Sequence, residues 1–307
     1  MKRSLLDIDL KLLKVFKHIV EHHGLTLAAN ELNISVSSVS NQLTDLEHRL
    51  GLILCRRGRG GFELTDEGQL VYEAHQELLR DLSGFASRIG DITQSLVGEV
   101  RLSLVSSLVE SSNLPLDQAI NAFKSRSQFT SLSIIINAAR VIEEQILDES
   151  VDIGISVHQR NIPELTQEII GSETIAFYCG KGHPLFDRDP ADISEEQVMQ
   201  HERCFRNYMS YSDGSRRRKS QVHTAQSNEL EGVAMLILSG QYLGHLPTPY
   251  AAKWEANGSM RQIMPNRFNY ENRLVLVTKS DRPQSKVVRA MIDDLRGAIR
   301  KTQPDNR

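Results

Sequence analysis

The chain has 307 residues, 40% of them hydrophobic and 24% charged, with a formal net charge of −3. That length admits two or three folded units, and the balance is that of a globular protein, which excludes general disorder. No apolar run approaches the about eighteen residues of a bilayer-spanning helix, and Asp7 interrupts the start before a signal-peptide core can form, so the expected setting is the cytoplasm, without membrane contact.

In chain order, Leu10, Leu13, Phe16, Ile19 and Val20 recur at three- and four-residue steps from Asp9, predicting one apolar helical face that ends at Gly24. Residues 25–32 predict a short second helix with Thr26 as a candidate N-cap, and Asn33, Ile34 and Ser35 have turn character. A third helix follows over 37–50. Its apolar positions Val39, Leu43, Leu46 and Leu50 form one stripe, while Ser37, Ser38, Asn41, Gln42 and Asp45 occupy the opposite face and Gly51 closes the helix. Residues 52–64 then predict two short strands around a glycine-rich turn, which is a wing.

A helix, a turn and a second helix with one polar face are the parts that lay a helix in the major groove of DNA, where base edges offer distinguishable donors and acceptors. Thr26, Ser35, Ser37, Ser38, Asn41 and Gln42 are the candidate contacts from the helices, and Arg56, Arg57 and Arg59 are those from the wing. A solvated helix face accounts equally well for any single serine. Residues 1–66 carry nine Lys/Arg against eight Asp/Glu, a sum of +1, and the remainder sums to −4. Phosphate contact depends on local cation density, which the three wing arginines supply.

Thr65 is a candidate cap for a proline-free helix over about 68–96, whose apolar stripe runs through Leu70, Val71, Ala74, Leu78, Leu82, Phe85, Ile89 and Ile92. A stripe that long exceeds what the small preceding domain can cover. Two readings stay open, pairing with a second copy of the same helix or packing of a linker helix on the next domain. Beyond Gly98 strands and helices alternate, with strands at 100–105, 132–136 and 151–157 and helices at 114–123 and 141–147, which predicts an α/β domain with a parallel sheet. Further strands are expected at 175–179, around 204–205, at 223–225 and at 274–278, with helices at 228–238 and 285–301.

Other chemistries find little support. Cys55, Cys179 and Cys204 form neither a disulfide framework nor a ligand set, and His201 with Cys204 has no matching second pair, so no metal or cofactor is expected. Cys204 as a redox sensor lacks a nearby resolving cysteine. The run from Arg216 to Lys219 lacks interleaved aromatics and reads as a solvated loop. The absence of GxSxG, GxxxxGK[ST] and HExxH argues against an enzyme.

The residues 28–35, the run from Val39 to Glu47, Leu50-Gly51, Arg56-Arg57 and Leu64-Thr65-Asp66-Glu67-Gly68 together closely resemble the LysR-type transcription regulators. The chain departs from that pattern at Val36, where glutamine is frequent, and at Asn41, where arginine or histidine is frequent. The resemblance implies a multidomain protein with an α-rich winged helix-turn-helix over 1–66 and a linker or dimerisation helix over 67–96. An α/β effector-binding domain over 97–307 would follow, two-lobed like periplasmic binding proteins. Lobe I would take about 97–156 and 270–307, and lobe II about 157–269, with Val151 to Ile155 resembling the first crossing between them. The implied partners are double-stranded operator DNA, further copies in a dimer or tetramer, a small-molecule effector in the cleft and, as an additional candidate, RNA polymerase.

In open α/β sheets, ligands gather at strand carboxyl ends and helix N-termini. That rule directs Ser106 and Ser107, Asn137 and Arg140, and Ser227 and Asn228 toward the cleft, with Phe205, Asn207 and His245 further along. Asn228 with Glu231 also fits a capping box. The family's glycine pair before Leu-Pro is altered here to the stretch from Gly240 to His245.

Overall fold

The computed structural model describes residues 7–58, 61–92, 96–111, 113–126, 128–189, 192–206, 223–281 and 283–302. Arg59, Asn207 and the basic run 216–219 lie outside the described residues, as does the side chain of Arg57. The chain forms two compact units, Met1–Phe85 and Ala86–Arg307. Among the described residues, no helix is long and apolar enough to cross a membrane.

The first unit contains α1 (Asp7–Glu21), α2 (Leu25–Leu32), α3 (Val36–Leu50), β1 (Cys55–Gly58), β2 (Gly61–Leu64) and the start of α4 (Asp66–Ile92). The apolar spacing of α1 and α3 buries Phe16, Ile19, Val39, Leu43 and Leu46 against Ala28, Ala29 and Leu54. Each large side chain removed from water there contributes about 1.5–3 kcal/mol. The N-cap of α2 is Gly24, without a side-chain bond, so Thr26 lies inside the helix and does not cap it. α3 ends at Gly51, whose left-handed φ of 70° lets its N–H reach Glu47 O at 2.8 Å.

Two side chains join α3 to the wing and the wing to α4. Glu47 Oε1 accepts from the N–H groups of Leu54 and Cys55 at 2.8 and 3.2 Å, which sets the exit of the chain into β1. Thr65 Oγ1 accepts from Gly68 N–H at 2.9 Å and donates toward Ile53 O at 2.7 Å, so the expected cap is present and also ties α4 to the wing's entry. A Cβ on Gly68 would stand 2.1 Å from Leu54 O, which accounts for a glycine in the first turn of a helix.

The second unit is built on one mixed sheet. Its elements are β3 (Gly98–Leu104), α5 (Leu116–Arg126), β4 (Thr130–Ile136), α6 (Ala139–Leu147), β5 (Ile153–Val157), β6 (Leu165–Gly180), α7 (Glu195–Met199), β7 (Arg203–Arg206) and β8 (His223–Ser227). They continue with α8 (Leu230–Leu238), β9 (Leu243–Pro247), α9 (Thr248–Ala256), β10 (Met260–Gln262), α10 (Pro265–Phe268), β11 (Tyr270–Lys279) and α11 (Lys286–Thr302). Strand order is β4-β3-β5-β11-β6-β9-β7-β8, with β10 on β6.

The expected parallel sheet holds only within each half. β3 pairs in parallel with β4 and β5, and β7 with β8 and β9, but β6 and β11 run antiparallel to their neighbours. These two long strands make the crossings between the halves. The expectation that 151–155 forms a crossing is therefore corrected: β5 is buried throughout and lies inside the first half, and Asp152, just before it, takes a two-bond ion pair from Arg101 on β3.

Both halves cover the sheet on two faces, so apolar residues run continuously along its inner strands. On β11, Leu274 and Leu276 enter one core with Phe123, Ile142 and Leu295, while Val275 and Val277 enter another with Ile146 and Val151. On β6, Ala176 and Tyr178 face Val233 and Ile237, while Phe177 and Cys179 face Leu185 and Ile263. Only residues 175–179 of β6 were expected as strand. The stretch before them is mostly polar, and β11 alone holds it extended through pairing from Lys279↔Leu165 to Tyr270↔Ile175. β9 and α9 were not expected either, because Gly244, Pro247 and Pro249 punctuate their sequences.

Candidate functional site

α3 has one face in the core and one in solvent. At its start Ser35 is the N-cap: its Oγ accepts from Ser38 N–H at 3.1 Å and lies 2.9 Å from Ser37 Oγ. Gln42 Nε2 donates to Ser38 Oγ at 3.1 Å. Ser35, Ser38 and Gln42 thus organise the first two turns, while Ser37 and Asn41 are exposed beside them. Val36, the first helical residue, is 43% exposed and adds an apolar contact surface to this end. Thr26 is exposed on α2 and Arg56 is exposed on β1. The β1–β2 pairing from Cys55↔Leu64 to Gly58↔Gly61 forms the expected two-stranded wing.

In the second unit a small pocket of about 20 Å³ opens where the crossing strands meet both halves. Ser106, Ser107 and His245 line it, as expected, together with Val105, Val157 and Ile175. His245 is held by an Nε2 bond to Phe268 O at 3.1 Å and by the Phe177 ring, whose centroid is 4.5 Å from its own.

Sequence reasoning missed three polar residues in the wall, Arg206, Glu173 and Asn272. Arg206 ends β7 on the same buried side as Cys204 and is only 5% exposed, an arginine continuing an apolar face. Its Nε donates to Asn228 O at 3.3 Å and its Nη2 to Ser106 Oγ at 3.2 Å, which fixes the guanidinium at the cavity. Glu173 on β6 and Asn272 on β11 are register partners. Burial pushes the Glu173 carboxyl up to about 6; Glu271 pushes the same way, while the Asn272 hydrogen bond and the Arg206 charge oppose the rise.

Several expected residues fall elsewhere. Asn137 Nδ2 donates to Ser103 Oγ and Gln145 Oε1, both at 3.1 Å, and so braces β3 against α6. Arg140 pairs with Glu144 one turn along, on the surface. Both were placed by the strand-end rule, but the cavity forms on the side of β3 toward β5 and the crossing strands, and β4 is the outer strand. Phe205 and Ser227 do not line the cavity. The capping box of Asn228 with Glu231 is absent, because α8 has Glu229 as N-cap and Ser227 Oγ accepts from Glu229 N–H at 3.1 Å.

Redox and metal chemistry gain nothing from these positions. Burial pushes the Cys204 and Cys179 thiols up to about 12, and they enter separate cores on opposite faces of the sheet. His201 packs against His183 with ring centroids 4.6 Å apart, and no group of three metal-binding side chains occurs among the described residues.

The chain matches two family models, the bacterial regulatory helix-turn-helix protein of the lysR family over residues 10–69 and the LysR substrate binding domain over 93–300. It is 34% identical over 287 residues to the HTH-type transcriptional activator BauR of Pseudomonas aeruginosa, covering 94% of each chain. It is 25% identical to the regulator PtxR of the same organism, over 94% of this chain and 92% of the other. Among solved structures, a probable transcriptional regulator from Pseudomonas aeruginosa matches with TM-score 0.68 at 18% identity, over 95% and 97% of the two chains. Full-length CbnR complexed with its target DNA matches with TM-score 0.64 at 15% identity, over 94% and 99%. The model matches span both units and the BauR likeness runs through them, so the chain belongs to the LysR family of DNA-binding transcription regulators with an effector-binding domain.

Proposed function

We propose that residues 1–66 read a specific operator through the exposed end of α3, that the helix over 67–96 pairs with its copy in a dimer or tetramer, and that residues 97–307 bind a small effector between two lobes. Ser35, Ser37, Ser38, Asn41 and Gln42 take the major groove, and Thr26 and the wing arginines 56, 57 and 59 take phosphates or the minor groove. The observation that carries this is the sided build of α3, with Val39, Leu43 and Leu46 buried while Val36, Ser37 and Asn41 stand exposed at the N-terminal end. CbnR, whose fold this chain shares, has been solved in complex with its target DNA, which supports the same role here. Access to chromosomal DNA places the protein in the cytoplasm.

In the cleft, Ser106, Ser107, Arg206, Glu173, Asn272 and His245 hold the effector. A ligand with unequal affinity for two lobe arrangements would shift their populations, and a dimer would transmit that shift as a changed spacing or bend between half-sites. Footprinting on the DNA upstream of the gene and its neighbour tests the reading. Salt-sensitive protection is expected, and Asn41→Ala should lower discrimination against a mismatched site by roughly 10- to 100-fold while leaving weak non-specific binding in place. Absence of protection by the wild-type protein would overturn the regulator reading on that DNA.

A further inference from the structure

Several polar side chains in the first two turns of α3 bond to one another or to the helix's own backbone. Ser35 Oγ accepts from Ser38 N–H at 3.1 Å and lies 2.9 Å from Ser37 Oγ, and Gln42 Nε2 donates to Ser38 Oγ at 3.1 Å. Val36 stands within this bonded turn as the first residue of the helix, with 43% of its surface in solvent. It neither caps the helix nor joins the core, which takes Val39, Leu43 and Leu46 from α3. Ile34, 37% exposed, has a different place: it precedes the cap, and its N–H bonds Ala29 O at 3.0 Å in the turn from α2.

In an α-helix the Cα–Cβ bonds tilt toward the N-terminus, so a side chain in the first turn projects ahead of the helix. Where a helix enters the major groove by its N-terminal end, that direction leads to base edges. The isopropyl group of Val36 has no donor or acceptor to offer there. Among the groups that the four bases present in the major groove, the nitrogens and oxygens are donors or acceptors, and only thymine carries an apolar one, its 5-methyl. A polar edge held against Val36 would give up water without a replacement bond, whereas the thymine methyl leaves water for another apolar surface. We infer that Val36 is a specificity-determining residue that reads the 5-methyl group of one thymine in the operator segment under α3. The inference rests on the reading of α3 as the groove helix. It assigns one base pair to an apolar contact, beside the hydrogen bonds available to Ser37 and Asn41.

Removal of single methyl groups from the DNA tests it. Duplexes enriched from a random-sequence pool by the full-length protein define the operator, and each of their thymines is then replaced singly by deoxyuridine. That change deletes the methyl and keeps the pairing and the O4 acceptor. Binding is read by fluorescence anisotropy. At one thymine for each bound copy of α3, the replacement should weaken wild-type binding about fourfold, the contribution of one buried carbon. Val36→Ala, with unchanged circular dichroism, should bind the thymine and deoxyuridine duplexes alike at that position. Two results would overturn the inference: no thymine whose methyl affects the wild type, or a methyl effect of the same size in Val36→Ala. Failure of the protein to enrich any sequence would remove the operator reading itself, and the inference with it.

Discussion

His183 is a buried imidazole whose Nδ1 accepts from Leu185 N–H at 3.1 Å and whose ring lies against His201. Burial, helped by the neighbouring His201, lowers it to about 4, and His201 is itself lowered by burial and by Arg188. Above about pH 6.5, His183 is neutral in the folded and unfolded chain and contributes no pH dependence. As pH falls from about 6.5 to about 4, the unfolded chain takes up a proton that the folded one resists, and stability is lost, by roughly 3 kcal/mol at the acid end. Glu173 works in the opposite sense between about 6 and its ordinary value, since its raised carboxyl favours the folded state as it protonates. The two are separated by His183→Asn, whose amide oxygen can accept the same Leu185 bond. That variant should lose less stability than wild type between pH 7 and 4.5, read from the Trp254 fluorescence unfolding midpoint. An unchanged slope would remove His183 from the acid response.

Among the elements, the α3–wing junction depends on one carboxylate. Glu47→Ala leaves the Leu54 and Cys55 N–H groups without their acceptor, a loss of about 1–3 kcal/mol, and the variant should exchange those amides roughly tenfold faster or more by hydrogen-exchange mass spectrometry. Glu47→Gln, which retains an acceptor, should lose less. α4 carries the opposite kind of feature, an apolar stripe with its face in solvent. Leu82, Phe85 and Ile89, spaced three and four apart, are 45%, 57% and 44% exposed. Under the proposal that this helix pairs with its copy, such a run forms the seam of the coiled coil. The double variant Leu82→Glu with Ile89→Glu should sediment as a monomer at concentrations where wild type is dimeric. A monomeric wild type, or a double variant that remains a dimer, would leave the stripe without a role in assembly.

For the whole molecule, the second unit has two halves, each with cores on both faces of the sheet, joined by β6 and β11, and both strands supply cavity residues, Glu173 and Ile175 from one and Asn272 from the other. A ligand there contacts the crossing strands, the end of β3 and the ends of β7 and β9 together. Binding energy is thereby available to favour one arrangement of the halves, which is the requirement for an effector to act at a distance.

Local pattern determined much of this protein. The 4, 3, 4 spacing of α3, Gly51 at its end, the two-stranded wing and Thr65 as a cap all depend on residues within a few positions of one another, where helical periodicity and capping chemistry act. The same locality placed Ser106 and Ser107 at a strand end and so at the cavity. Pairing across the chain decided the rest. Half of β6 is polar and becomes strand only because β11, about a hundred residues later, provides its register, and that register sets Glu173 beside Asn272. Arg206 reaches Ser106 across 100 residues, while Asn137 and Arg140, which satisfy the same strand-end rule, are taken up by nearer partners. The α3 face follows from one helix's own spacing, whereas the cleft's charges come from segments that meet only once the sheet has formed.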